Sequence, residues 1–193
     1  MTQPPLEAIY FKDWNNAHIP EILEEIYIKE IYKPYLGASK HANLTIVDVG
    51  ANIGLFSYYA SPYAKRIIAL EPSTMHQETL KNMLTYNKIT NVEVLPYGLS
   101  NKCDTKKFYL SENTTAFSLT QLDPRYPVET IEVIDMDKLF EMTKIEHIDL
   151  LKLDPEGEES KITTSESFKK LCPKIKVIVG EWHAWSDMPQ QQF

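Results

Sequence analysis

The chain has 193 residues, 43% of them hydrophobic, enough for one domain with a sizeable core and short of two. Its 27 acidic against 20 basic residues give a formal charge of -7, and no lysine or arginine block is long enough to track a phosphate backbone, so nucleic acid is not expected as a partner. No stretch approaches the roughly 18 uninterrupted apolar residues of a membrane span, and the start MTQPPLEAIYF lacks a basic-then-apolar leader pattern. A soluble protein is expected, and two distant cysteines, Cys103 and Cys172, without C-x-x-C pairing fit a reducing cytoplasm.

In chain order, Ile19, Ile22, Leu23 and Ile26 fall at helical spacing with Glu21, Glu24 and Glu25 opposite, which predicts an amphipathic helix from Ile19 to Lys33 that Pro34 stops. Residues 1–40 are read as a helical segment docking on a core formed by residues 41–193. Five short apolar runs then read as strands buried on both faces: TIVDV from Thr45, RIIAL to Leu70, NVEVL to Leu95, IDLLKL to Leu153 and KVIVGEW to Trp182. Helical segments are expected from Ile53 to Ala60, Thr74 to Asn87 and Gly157 to Leu171. This rhythm predicts an α/β fold, a mostly parallel Rossmann-like sheet with helices on both faces. Thr105 to Ile134 breaks the rhythm with two extended pieces around a polar loop, read as an inserted strand pair whose loop is able to cover a pocket. Tyr58, Tyr59 and Tyr63 read as a helix face for core or subunit contact, and Asn113, Thr114 and Thr115 as a polar loop tip.

In such sheets the ligand sits beyond the carboxyl ends of the strands, where strand order reverses. The turn after TIVDV runs Gly50-Ala51-Asn52-Ile53-Gly54, with Asn52 where a dinucleotide fingerprint needs its second glycine. Asp48, two residues ahead of Gly50, would repel a pyrophosphate and attract an ammonium. S-adenosylmethionine (SAM) carries an ammonium and no phosphate. Glu71 follows Gly50 by 21 positions at the end of RIIAL, near the spacing at which a carboxylate accepts hydrogen bonds from ribose hydroxyls. The competing view is that Asp48 and Glu71 cap the following helices.

The segments IVDVGANIGLFS, ALEPS, YGLS, IDLLKLDPEGEE and VIVGEWH fall in the order and near the spacing of the FkbM family, which the chain resembles from Leu44 to His183. The most specific element is Lys152-Leu153-Asp154-Pro155-Glu156-Gly157-Glu158-Glu159, similar to that family's K-[IL]-D-x-E-G-x-E. The resemblance implies a class I methyltransferase fold in residues 41–193, SAM as cofactor, and O-methylation of a sugar or small secondary-metabolite hydroxyl. It implies that Asp48, Gly50, Ala51, Asn52 and Gly54 line the methionine end, that Glu71, followed by Pro72 and Ser73, holds the ribose, and that Gly98 lies by the adenine.

Methyl transfer needs an acceptor oxygen held in line with the C–S bond and a base to take its proton. Asp154, Glu156 and His183 are the candidates, with Glu156 preferred. Each has a plainer role: Asp154 as a helix N-cap, one or two of Glu156, Glu158 and Glu159 as solvated first-turn acids favoured by a helix N-terminus, His183 packed beside Trp182 and Trp185. The carboxylates are also able to gather a hard divalent ion, but the spacing demands none, so no metal is expected. Eleven residues follow Trp182, too few for the two closing strands of a class I sheet, so the expectation is either a truncated piece or a second copy covering an exposed sheet edge. The partner is then a small-molecule or carbohydrate acceptor. Two alternatives from other classes are a nicotinamide-dependent oxidoreductase and a non-catalytic interaction module.

Overall fold

The computed structural model describes residues 19–37, 43–109 and 128–183. Five parallel strands form the main sheet: β1 (Leu44–Val49), β2 (Ala64–Leu70), β3 (Val92–Leu95), and, later in the chain, β7 (Leu150–Leu153) and β8 (Ile178–Gly180), in the order β3-β2-β1-β7-β8. The order reverses between β1 and β7, which sets the crevice expected of such sheets at the end of β1. Among the described residues β8 is one edge of this sheet, and its Ile178 is 44% exposed.

Side chains of a strand alternate between faces, and the sequence supplies apolar residues to both. Ile46, Ile67 and Leu150 pack on one face with α3 (Leu55–Ala60) and α4 (Thr74–Tyr86). Val47, Ile68 and Leu151, which stand side by side in the register, pack on the other with α5 (Met136–Thr143), α6 (Glu159–Thr164) and α7 (Glu166–Leu171). All six sheet residues are 0% exposed, so each contributes about 1.5–3 kcal/mol of burial.

The N-terminal helix is shorter than its apolar spacing suggests. It runs as α1 (Ile19–Leu23) into a π-helical turn, Glu24–Ile28, and breaks at Glu30, whose φ is 49°. Pro34 does not stop it; proline lacks an amide hydrogen that a helix start does not need, and it lies in the first turn of the short α2 (Lys33–Leu36). Tyr27 meets Tyr59 edge-on at 5.1 Å and Tyr32 meets Phe56 at 4.7 Å, so Tyr58, Tyr59 and Tyr63 belong to the core beneath this segment.

The predicted helix over Gly157–Leu171 is two helices. Ser165 turns extended (ψ 152°) and its Oγ accepts from Phe168 N, capping α7 afresh. Helix α5 was not expected; Asp135 Oδ1 accepts from Lys138 N at its start, and Lys144 ends it in a left-handed conformation. The inserted strands are β5 (Asp104–Tyr109) and β6 (Val128–Ile134), antiparallel, and they join β4 (Gly98–Leu99) in a separate three-stranded sheet. The expected loop tip at Asn113, Thr114 and Thr115, and Trp185, lie outside the described residues.

Candidate active site

The β1–α3 turn is built on close backbone approach. Gly50 has φ 73°, and a Cβ there would lie 2.0 Å from the Asp154 carbonyl oxygen, a contact only glycine permits. Gly50 N and Ala51 N both donate to Leu70 O, and Asp154 N donates to Val49 O. The turn is thereby locked to the ends of β2 and β7, and the two sequence motifs meet through their main chains. Asn52 sits in the left-handed region (φ 53°), which asparagine tolerates, and its Oδ1 accepts from Ile53 N at 2.7 Å.

Glu71 is 3% exposed, and its carboxylate fastens the crevice: Oε2 accepts from Asn52 N at 2.8 Å and Oε1 from Ser73 N at 2.9 Å. A carboxylate oxygen has two lone pairs; Oε1 also faces the buried His76 Nδ1 at 3.5 Å, which leaves Oε2 with capacity for a ligand hydroxyl. Ser73 itself is fully buried, so its part is to hold Glu71 and start α4.

Asp48 stands elsewhere than expected. It is 0% exposed beneath the turn, where its Oδ2 accepts from Ser57 Oγ at 2.7 Å and its Oδ1 lies 3.6 Å from Lys152 Nζ. Strand register puts Asp48 beside Lys152, so its charge meets that lysine and not the crevice surface. Lys152 opens the family motif but carries no role in the sequence reading. Its buried ammonium lies 3.1 Å from Asp154 Oδ2 and 3.4 Å from Gly50 O. Burial works against the ammonium, but Asp154 and Asp48 outweigh it and raise its pKa; burial in turn raises that of Asp48. A lysine inside an otherwise apolar strand between two acids is the signal that would have found it.

These elements enclose a cavity of about 410 Å³, within the range that holds a small ligand. It is lined by Gly50, Ala51, Asn52, Glu71, Pro72 and Gly98, by Asp154, Pro155, Glu156 and Glu181, and by Ile22, Ile26 and Tyr32 of the N-terminal segment. That segment's part in the cavity was not predicted, because docking of a helix leaves no local sequence mark. The volume, the Glu71 carboxylate and the absence of a phosphate cradle at Asn52 fit a nucleoside with an amino-acid tail.

Beyond β7 the chain passes through a left-handed pair, Glu156 (φ 52°) and Gly157 (φ 105°), before α6. The helix begins at Glu159, so Asp154 does not cap it. The first-turn acids are not solvated: Glu158 is 0% and Glu159 1% exposed. Glu158 accepts from Ser100 Oγ, Lys106 Nζ and Lys161 Nζ, and although burial opposes ionisation these donors hold its carboxyl below the usual range. Glu159 accepts from Gly157 N and lies 2.6 Å from His183 Nδ1. His183 does not line the cavity; its Nε2 lies 3.3 Å from Glu156 Oε2 and 4.0 Å from Asp154 Oδ1. Loss of solvent, then Asp154, pushes Glu156 up to about 7 against the pull of His183. The Glu159 bond pushes His183 up to about 9 against its own desolvation, with Glu156 adding to the rise. The two groups face each other at 3.3 Å, with Glu156 at the cavity and His183 behind it.

A methyltransferase FkbM domain model matches residues 48–193. Methyltransferase sdnD of Sordaria araneosa is 27% identical over 208 residues, covering 89% of this chain and 80% of the relative. Among solved structures, an rRNA methylase from Streptococcus thermophilus has a TM-score of 0.47 at 11% identity, covering 78% of this chain and 68% of its own. A Streptococcus mutans protein in complex with SAH has a TM-score of 0.45 at 14% identity, covering 79% and 70%. Among the described residues no helix is long and apolar enough to cross a membrane. With the domain match spanning most of its length, the chain belongs to the FkbM family of SAM-dependent methyltransferases.

Proposed function

We propose that the chain methylates a hydroxyl oxygen of a sugar or other small acceptor, with the cofactor against Glu71 and the turn from Gly50 to Asn52 and the acceptor beside Glu156. The observation that carries this is that one cavity is lined both by that turn with Glu71 and by the acids Asp154, Glu156 and Glu181. Bound SAM supplies an electrophilic methyl group and leaves as S-adenosylhomocysteine (SAH) when the C–S bond breaks. Glu71 holds the ribose, Pro72 and Gly98 flank the base, and the turn from Gly50 to Asn52 meets the methionine end.

Glu156 takes the acceptor's proton as its oxygen attacks, and the new O–C bond replaces the one lost to sulfur. Its position supports this reading over the other acids. Asp154 is committed to Lys152, whereas the left-handed turn presents Glu156 to the cavity. His183, held by Glu159, fixes the Glu156 carboxylate from behind. The oxidoreductase alternative has no support in the family assignment.

The test is transfer of labelled methyl from SAM to a panel of sugars and polyols. Glu156→Gln should keep its affinity for SAH and lose about 100-fold in turnover, the scale of general-base catalysis. Full turnover by the folded variant would remove Glu156 as the base.

A further inference from the structure

We propose that Tyr32 is a cofactor-binding residue whose hydroxyl donates a hydrogen bond to the carboxylate of the SAM methionine tail. It deepens the function proposed above and rests on its placing of that tail at the turn from Gly50 to Asn52. Tyr32 lies outside residues 48–193, which the domain model matches, so the contact comes from this chain's own N-terminal segment.

The main chain breaks at Glu30 (φ 49°), and two residues later Tyr32 comes in edge-on to Phe56, with ring centroids 4.7 Å apart. The Lys152 ammonium lies 6.0 Å from the same Phe56 ring and 3.4 Å from Gly50 O, so Tyr32 and the turn meet around one lysine. Tyr32 is 7% exposed and lines the cavity, and among the described residues its hydroxyl makes no hydrogen bond. A buried hydroxyl left unpaired is costly, and a ligand atom removes that cost. Loss of solvent pushes the phenol up to about 12, eased by Lys152 and reinforced by Asp154, Asp48 and Glu181. The group is therefore a neutral O–H donor, set toward Lys152, Asp154 and Glu181 of the same cavity wall.

The zwitterionic tail asks for two kinds of partner. Asp154 and Glu181 supply carboxylates for its ammonium, but its carboxylate needs donors, and those of the turn are spent within the protein. Gly50 N and Ala51 N donate to Leu70 O, Asn52 N to Glu71 Oε2, Ile53 N to Asn52 Oδ1 and Gly54 N to Ala51 O. Lys152 Nζ is shared among Gly50 O, Asp154 Oδ2 and Asp48 Oδ1. The Tyr32 O–H is a neutral donor near that ammonium, which suits an anion and not a second cation.

The experiment titrates the full chain and its Tyr32→Phe variant calorimetrically with SAH and with the decarboxylated analogue of SAH, which keeps the adenosine and the ammonium and lacks the carboxylate. Phenylalanine keeps the ring contact with Phe56, and the lost hydroxyl has no partner among the described residues, so the thermal melt should not move. Tyr32→Phe should bind SAH about 10- to 100-fold more weakly, the worth of a hydrogen bond to a charged group, and bind the analogue as wild type does. Equal SAH affinity in the two proteins overturns the assignment. So does an equal loss for both ligands, which would put the hydroxyl at the ammonium or the adenosine. Unchanged SAH binding in Tyr32→Phe with a loss in Glu71→Gln removes Tyr32 alone, whereas folded wild type that binds neither ligand removes the placing of the cofactor as well.

Discussion

Replacing Glu71 by glutamine keeps the side chain's shape and removes its charge and one acceptor. In the native chain Oε2 accepts from Asn52 N and Oε1 from Ser73 N, at 2.8 and 2.9 Å in a site 3% exposed. The amide of glutamine has one carbonyl oxygen, so its NH₂ group must face one of these two amide donors. A bond to a charged group contributes about 1.5–3 kcal/mol, and a buried donor left without an acceptor carries a further cost. Fold stability should therefore fall by about 2 kcal/mol, a drop in Tm of roughly 4–8 °C for a chain of this size. The ribose hydroxyls lose their charged acceptor at the same time, so SAH affinity should fall by about 10- to 100-fold. Thermal melts and calorimetric titration with SAH read the two effects separately. A folded Glu71→Gln protein that binds SAH within about twofold of wild type would refute the ribose assignment.

Two further outcomes follow from the backbone and from charge. Both glycines have positive φ, but Gly50→Ala drives its Cβ into the Asp154 main chain at 2.0 Å, whereas Gly54→Ala meets only side chains, Leu80 Cδ1 at 2.0 Å and Met83 Cε at 2.8 Å. Chemical denaturation should show Gly50→Ala losing about 3 kcal/mol or more and Gly54→Ala less; equal losses would contradict the locked-turn account. Asp149 joins three strands' surroundings, accepting from Thr45 N and Lys176 Nζ, and although burial opposes ionisation these contacts lower its pKa. A lowered folded pKa gives stability that is full above the unfolded value of about 3.9 and is lost as pH falls through the folded one. Asp149→Asn should therefore flatten the acid limb of the stability curve below about pH 4, and an unchanged limb would assign the loss to other carboxylates.

The sheet was legible because each strand contains a short apolar run, and the parallel order follows from the helices between; burial on both faces holds for the central β1, β2 and β7, whereas the outer strands β3 and β8 stay partly exposed, against the expectation for NVEVL and KVIVGEW. Legibility failed where tertiary contact overrides local pattern. Glu158 and Glu159 look like solvated first-turn acids until β5 supplies Lys106 and the segment after β8 supplies His183. Asp48 looks like a ligand residue until the register with β7 sets Lys152 beside it. Breaks within helices were hidden for a local reason: Ser165 restarts a helix inside a continuous apolar period, and Glu30 takes a left-handed turn that glutamate seldom adopts. Glu71 and the Gly50 turn were visible early, because spacing after a strand end is itself a geometric constraint.

The central claim is that the β1–α3 turn and Glu71 hold an adenosyl ligand without a pyrophosphate. Calorimetric titration of the purified chain with SAM, SAH and NADH tests it most directly. One site with micromolar affinity for the two adenosyl compounds is expected, with no detectable binding of NADH. Comparable binding of NADH, or no adenosyl binding by a demonstrably folded protein, would contradict it.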